Sequence, residues 1–176
     1  MAATLSFDKV NRHQAAVLMH ECFLVFQAQE HLNRTANEAA LFTYPVEDVI
    51  ALALSRLEME ALSRALQAPS PICWTSRAIA LRRERFARMP AEAVAYERGT
   101  ELHEGLAQFI EGLAEERKVR SRILLLAEFR QRLYVSGEAL ARLLESLSPG
   151  WKSKIVNSLD ELFPKDKTEE CDFAPA

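Results

Sequence analysis

Residues 17–27 read V-L-M-H-E-C-F-L-V-F-Q, a run in which only His20, Glu21 and Gln27 are polar. A helix that is apolar nearly all round belongs in the middle of a fold. A charge placed there is costly unless it is paired, hydrogen-bonded or bound to a metal. The run therefore predicts a central helix whose three polar side chains serve a purpose other than packing.

The composition favours one helical domain. Of 176 residues, 49% are hydrophobic and 27% are charged, a balance typical of a globular domain with a real core. Glycine and proline are few, and the abundant Ala, Leu, Glu and Arg all favour helix. No segment of useful length alternates with period two. We predict an all-α, single-domain bundle of six or seven helices.

Charge and cysteine spacing argue against several classes of partner and site. A net charge of −3 gives no reason to expect nucleic acid or an anionic membrane surface. The apolar runs are too short to span a membrane, and residues 1–16 contain no apolar segment typical of a signal peptide. Cys22, Cys73 and Cys171 match neither a disulfide framework nor a zinc knuckle. We therefore expect a protein of the reducing cytoplasm.

Turn-forming residues divide the chain into segments. The predicted helices cover residues 7–32, 46–67, 74–89, 91–117, 119–134, 138–147 and 151–163, with a break at Ser136-Gly137. The second helix places Ile50, Leu54, Leu57, Ala61 and Leu62 at helical spacing. Residues 1–163 form the predicted helical domain, and residues 164–176 a flexible tail.

The third predicted helix is rich in arginine. It carries Arg77, Arg82, Arg83, Arg85 and Arg88. One interpretation is a contact surface for nucleic acid or an acidic partner. The other is a solvated face, which the negative net charge and the lack of interleaved aromatic residues favour.

The fourth predicted helix has three glycines and an acidic side. Gly99, Gly105 and Gly112 each cost about 1 kcal/mol against alanine in a helix, which predicts close backbone approach or a bend. One face carries Leu102, Leu106, Phe109 and Leu113, and the opposite side carries Glu97, Glu101, Glu104, Gln108 and Glu111. For this helix alone, solvent exposure is the simplest explanation of the acidic side.

His20-Glu21 is the first half of an H-E-x-x-H zinc motif. In that motif two histidines one turn apart bind the ion, and the glutamate acts as general base on the metal-bound water. Here the position of the second histidine is Leu24, which cannot bind a metal. The third ligand of such sites is often a carboxylate from a later helix, and Glu104 is the candidate.

These residues resemble a known family. His20-Glu21 with Phe26-Gln27, followed by Glu104-Gly105-x-Ala107, is similar to the H-E-x-x-H-x-x-Q … E-G-x-A pattern of gluzincin-type zinc metallopeptidases. The resemblance covers about residues 17–152, and it includes Leu52–Glu58, Ala61–Leu66, Tyr96-Glu97, Arg132–Ala139, Leu143-Leu144 and Pro149–Lys152.

The resemblance implies a role for each matching residue. It makes His20 and Glu104 zinc ligands and Glu21 the general base. Glu97, Glu101 or Gln108 would orient the ligands through hydrogen bonds. Leu24 removes one ligand, so zinc binding would be weak or absent. Because fewer than twenty residues precede His20, we expect this zincin-like helical core to lack the usual N-terminal sheet that holds a peptide substrate.

Three functional hypotheses follow. The first is a degenerate zincin, inactive or impaired, in which His20 and Glu21 are a buried polar pair satisfied by Glu104, an arginine or a backbone carbonyl. The second is a helical interaction module, with a protein partner or a homo-oligomer, whose contact surface is the helix of residues 77–88. The third is an active peptidase with an atypical ligand set, completed by His31, Glu101 or another chain. The distance between His20 and Glu104 bears on all three.

Overall fold

A computed structural model describes residues 11–117, 129–164 and Cys171. The α-helices are α1 (Arg12–Glu30), α2 (Val49–Gln67), α3 (Ile72–Phe86), α4 (Ala91–Thr100), α5 (Leu106–Ala114) and α6 (Phe129–Leu147). Short 3-10 helices cover Glu38–Thr43, Trp151–Lys154 and Asp160–Leu162. The described ranges contain no strand, so the predicted all-α class is confirmed.

A long rod occupies the centre of the fold. It consists of α4, a π-helical turn at Glu101–Gly105 and α5, joined without a break. On one side the rod packs against α1, and on the other against α6, which also contacts α2. Helix α2 pairs extensively with α3.

The prediction that the first helix is central is therefore wrong. Helix α1 lies at the edge of the fold, and it fully buries only Ala16 and Gln27. Its apolar outer side is not covered, and Met19 and Phe26 are about half exposed. The predicted contact between the first helix and the segment carrying Glu104 is confirmed, because α1 packs along α5 and touches the π-turn.

The main core lies between α2, α3, α5 and α6. Its largest fully buried members include Leu62, Phe109, Leu140 and Trp151. A second, smaller cluster forms around Tyr44, Tyr96 and Leu133, where the 3-10 helix after α1 meets α4 and α6. Both clusters include residues of the rod, so packing against the other helices fixes the position of the rod.

Two predicted boundaries are wrong. Helix α6 continues through Ser136 and Gly137 to Leu147. Gly137 does not break the helix, because its role is to let the α6 backbone lie against the backbone of Gly105. The predicted helix 151–163 is instead two 3-10 turns, which lets the buried side chains of Trp151, Leu159 and Phe163 all reach the core. The predicted helix 119–134 lies largely outside the described residues, and its end belongs to α6.

The first two helices begin at side-chain caps. The Asn11 side chain accepts a hydrogen bond from the Gln14 N–H, and the Asn11 backbone N–H donates to the Gln14 side chain, so this capping box starts α1 at Arg12. The Asp48 carboxylate accepts from the Ile50 and Ala51 N–H groups at the start of α2. None of the helices within the described ranges combines the length and the hydrophobicity that a membrane span requires.

Cys73 and Cys171 form a disulfide, with Cα atoms 5.4 Å apart. From the sequence we expected the cysteines to match no disulfide framework, and this pair corrects that expectation. Because the two cysteines are 98 residues apart in the sequence, local spacing gives no indication that they pair. The bond ties one position of the predicted flexible tail to α3, and the residues around Cys171 lie outside the described ranges.

Candidate functional site

His20 lies between two carboxylates of the rod. On α1 it shares the face of Ala16 and Gln27, the two buried residues of that helix. Its Nδ1 lies 3.0 Å from Glu111 Oε2, and its Nε2 lies 3.6 Å from Glu104 Oε2. All three side chains are largely shielded from solvent, with exposures of 12%, 14% and 16% for His20, Glu111 and Glu104. The expected proximity of His20 and Glu104 is therefore present, with Glu111 as a further partner.

The charges of this triad support one another. Burial alone would lower the pKa of His20, but the nearby carboxylates of Glu104 and Glu111, with the hydrogen bond to Glu111, outweigh it and raise the pKa to about 9. The neighbouring imidazoles of His103 and His20 lower the pKa of Glu104, and His20 lowers that of Glu111, in both cases against burial. At neutral pH the site is an imidazolium that donates from Nδ1 to Glu111 and faces Glu104 with Nε2.

Gln27 connects the same face of α1 to the π-turn. In an α-helix the Leu102 carbonyl would accept from the Leu106 N–H, but that N–H donates to Glu101 O and His103 O. The fully buried Gln27 side chain donates from Nε2 to Leu102 O at 2.9 Å instead. Gln27 therefore satisfies the carbonyl that the π-turn leaves without its α-helical partner. Its own Oε1 has no hydrogen-bond partner among the described residues.

The donor set does not fit a catalytic zinc ion. His20 Nε2 and Glu104 Oε2 are close enough to share an ion at ~2.1 Å from each. Catalytic sites use three protein ligands and an open position, but Leu24 offers no donor. Among the described residues no group of three His, Cys, Asp or Glu could hold a metal. Glu111 lies against the other ring nitrogen, so the Nε2 side of His20 offers two protein donors where a catalytic zinc site uses three.

The predicted general base and ligand-orienting residues lie elsewhere. Glu21 is half-buried and has no hydrogen bond or ion pair in the described part of the chain. For Gln108, the described residues show a hydrogen bond from another side chain only at the backbone carbonyl, which accepts from Arg117 at 3.4 Å. Glu97 and Glu101 point away from His20 toward α3. The residue that orients the imidazole is Glu111, which the sequence places two helical turns after Glu104 on the same acidic side.

Glu97 and Glu101 belong to a second, fully buried cluster of charges. Arg82 binds Glu101 through two hydrogen bonds of 2.6 Å and donates to Glu58 at 2.8 Å. Arg85 donates to Glu58 at 2.9 Å and to Glu97 at 2.5 Å. The exposure of these five side chains is 3% or less.

Hydroxyl groups complete this cluster. Tyr44 donates to Glu97, and Ser136 donates to Glu101 at 2.5 Å. Burial and the charge of Glu97 hold the pKa of Tyr44 well above its usual range, so the phenol stays protonated and keeps donating. The charges of Arg82 and Arg85 lower the pKa of Glu58, against the burial that opposes ionisation. The cluster is thus a paired network of guanidinium and carboxylate groups inside the fold.

This network corrects two predictions. Arg82 and Arg85 are in the interior, so neither the proposed basic contact surface nor the solvated face describes them. The acidic side of the fourth predicted helix is likewise not exposed, since Glu97 and Glu101 are fully buried. A signal was present: Arg82 follows the buried Ala78 by four residues, and Glu58 stands between Leu54 and Leu62 at the same spacing.

No family model, curated protein or solved structure matches this chain. The gluzincin resemblance thus rests on the residues themselves. Of those residues, the structure brings together His20 and Glu104, adds Glu111, and leaves Glu21 outside the cluster. Chemically, the arrangement is a shielded ion-pair triad joining α1 to the rod.

Proposed function

We propose that this protein is a degenerate zincin-like helical protein that does not hydrolyse peptides and acts through binding. The observation that carries the proposal is the position of His20, whose two ring nitrogens face Glu111 at 3.0 Å and Glu104 at 3.6 Å. A positive charge on the imidazole neutralises the carboxylates that a metal cation would otherwise neutralise. The cluster is then a structural contact between α1 and α5.

The residues that catalysis would require support the same proposal. Leu24 stands where the motif needs its second histidine, and the described residues supply no replacement. His31 caps the C-terminal end of α1, where its backbone N–H donates to the Gln27 carbonyl. Glu101 is bound by Arg82 on the other side of the rod. Neither of the compensating ligands considered from the sequence faces His20.

Zinc binding tests the proposal directly. Protein purified without chelator is expected to contain far less than one zinc per chain. When zinc is added, the protein is expected not to compete for it with a chromophoric chelator. Glu104→Gln and His20→Gln are the informative variants. Glu60→Gln is the control because Glu60 lies on the exposed side of α2 in a surface pair with Arg64. Stoichiometric zinc that is lost in both site variants and kept in the control overturns the proposal.

A peptidase assay gives a second, independent result. With zinc present, digestion of an unstructured protein such as casein is expected to stay at the level of a buffer blank. The matched variant is Glu21→Gln, which removes the only residue assigned as general base. Hydrolysis by the unmodified chain that disappears in Glu21→Gln overturns the proposal and favours an active enzyme.

A further inference from the structure

The connection that follows α1 contains an N-x-T triplet. Asn33-Arg34-Thr35 is the one place in the chain where a serine or threonine stands two positions after an asparagine, and the residue between them is not proline. This pattern is the acceptor signal for N-linked glycosylation. It is used only where it lies in a surface loop of a protein that enters a secretory compartment. The structure bears on both conditions.

The triplet lies in a surface turn with its two functional side chains facing solvent. The Arg34 N–H donates to the His31 carbonyl at 2.9 Å, which closes a tight turn around Asn33. Asn33 and Thr35 are exposed, whereas Arg34 and Ala36 are partly buried. This alternation sets the amide of Asn33 and the hydroxyl of Thr35 on one outward side of the chain.

The contacts that hold this turn to the fold leave Asn33 free. Arg34 donates from Nη2 to Ile155 O at 3.2 Å. The backbone of Thr35 and Ala36 rests on Gly99 of α4, where an added Cβ would lie 2.9 Å from Thr35 O and from Ala36 Cα. None of the described residues hydrogen-bonds to the Asn33 side chain. A bulky polar group on Asn33 would therefore extend into solvent and displace none of these contacts.

The disulfide bears on the second condition. Cys73 and Cys171 are bonded in the folded chain, and such bonds form and persist in oxidising compartments such as the lumen of the endoplasmic reticulum. This bond joins α3 to Cys171 and shares no residue with the turn at Asn33. Two separate features of the chain thus favour the compartment in which oligosaccharides are transferred to asparagine.

We propose that Asn33 is a site of N-linked glycosylation. The donor is an oligosaccharide carried on a lipid diphosphate, and a membrane-bound oligosaccharyltransferase makes the transfer. Asn33 Nδ2 forms a bond to the anomeric carbon of the first sugar, the bond from that carbon to the diphosphate oxygen breaks, and the lipid diphosphate leaves. The nitrogen gives up one proton to a base of the transferase, and nothing is oxidised or reduced. Thr35 supplies the hydroxyl that the transferase recognises.

Production of the full chain behind a cleavable secretion signal in eukaryotic cells tests the proposal. The product is expected to carry one oligosaccharide, seen as a single step in electrophoretic mobility and in intact mass, which peptide N-glycosidase removes. Asn33→Gln and Thr35→Ala are each expected to abolish it, and Thr35→Ser, which keeps the hydroxyl, to retain it. Asn157→Gln is the matched control, because Asn157 is also exposed but is followed two positions later by Leu159.

A second measurement checks that the oligosaccharide fits the folded chain. Circular dichroism before and after treatment with peptide N-glycosidase is expected to show the same helical content. Peptide mapping without reductant is expected to find the Cys73–Cys171 bond in both samples. A loss of helix in the glycosylated sample would contradict the outward position of Asn33.

Two further outcomes overturn the inference. A chain that carries no oligosaccharide excludes the site, whether the chain is secreted or is recovered from lysed cells. An oligosaccharide that remains in Asn33→Gln places the modification elsewhere. None of these results depends on zinc or on His20, so the inference and the proposed function can fail separately.

Discussion

His20 and Arg82 are two charged residues whose surroundings differ from those of ordinary surface charges. His20 stands out in the sequence because its neighbours are apolar. Arg82 does not, because exposed arginines surround it. Both charges are neutralised by carboxylates from the rod: Glu104 and Glu111 around His20, and Glu101 at Arg82. The same physical requirement, that a buried charge needs a partner, explains both positions.

Replacing His20 is expected to make stability depend less on pH. In the folded chain the pKa of His20 is raised to about 9 from 6.5, so its contribution is full below pH 6.5 and is lost as the pH rises through 9. That contribution is on the order of 2–3 kcal/mol. The lowered pKa values of Glu104 and Glu111 add stability above their ordinary range, near pH 4.5, which is lost as the pH falls.

The measurement is urea unfolding of the wild type and of His20→Gln at pH 6 and pH 9.5. The difference in unfolding free energy is expected to be large at pH 6 and small at pH 9.5. His13→Gln is the control, because His13 is 70% exposed and its pair with Glu115 is screened by solvent. A constant difference across this range would show that His20 does not act as a buried cation.

Arg82→Met is expected to destabilise the fold severely. It leaves Glu58 and Glu101 buried without their shared guanidinium, a loss of about 3–5 kcal/mol for a buried ion pair broken on one side. Arg83→Met changes the next residue, which is exposed, and is expected to stay within about 0.5 kcal/mol of the wild type. Urea unfolding of the two variants compares them. Equal stability would contradict the buried network.

At the scale of elements, the π-turn at Glu101–Gly105 lets the rod's acidic side serve two neighbours. In an uninterrupted helix, Glu97, Glu101, Glu104 and Glu111 would share one face. The extra residue of a π-turn offsets everything after it by about 100°. Glu97 and Glu101 therefore face the arginines of α3. Glu104 and Glu111, which follow the start of the π-turn, face α1. Gln27 stabilises this turn by bonding the Leu102 carbonyl.

The contact between the π-turn and α6 depends on two glycines. A Cβ added at Gly137 would lie 2.7 Å from Gly105 Cα and 2.8 Å from Glu101 O, both backbone atoms that cannot move aside. We expect Gly137→Ala to destabilise the fold by about 2 kcal/mol or more, as overpacking does.

Gly112→Ala is the matched control for that substitution. Its Cβ would meet Arg142 Nη2 at 2.5 Å and Glu138 Oε1 at 2.6 Å, the ends of flexible side chains. Alanine's better helix propensity, about 1 kcal/mol, offsets part of the rearrangement. Thermal unfolding followed by circular dichroism ranks the two. A Gly137→Ala variant at least as stable as Gly112→Ala would contradict the backbone contact.

For the whole molecule, the disulfide joins the end of the described chain to α3. It closes a loop between Cys73 and Cys171, which are 98 residues apart. Constraining a loop of this length in the unfolded chain contributes about 2–4 kcal/mol in typical proteins. Bonds of this kind persist mainly in oxidising compartments, which is at odds with the reducing environment expected from the cysteine spacing.

Opening this bond is expected to lower stability without changing the fold. Cys171→Ser should reduce the free energy of unfolding by about 2–4 kcal/mol, and a reductant should do the same to the wild type. Cys22→Ser is the control, since Cys22 is exposed and unbonded. Urea unfolding with and without reductant checks both. If reductant leaves the wild type unchanged, the bond adds nothing to stability.

Much of the fold follows from the sequence. Proline positions placed α2, α3 and the start of the rod to within a few residues, because proline acts through local backbone chemistry. The H-E motif, with a carboxylate expected from a later helix, identified His20 and Glu104 as a pair. Sequence reasoning failed where both sides of a helix are apolar, as in α2, and where one acidic side meets two different neighbours, as in the rod.

Which of those sides is buried depends on how the helices pack against one another. Glu58 is inside and Leu57 is outside because Arg82 and Arg85 project from α3 toward that position. Periodicity fixes which residues share a face, but not what that face meets. By itself the sequence determined an all-α chain with an incomplete H-E motif. The packing of α1 and α3 on the rod decided that His20 is held by Glu104 and Glu111, because only side chains brought together in space can neutralise a buried charge.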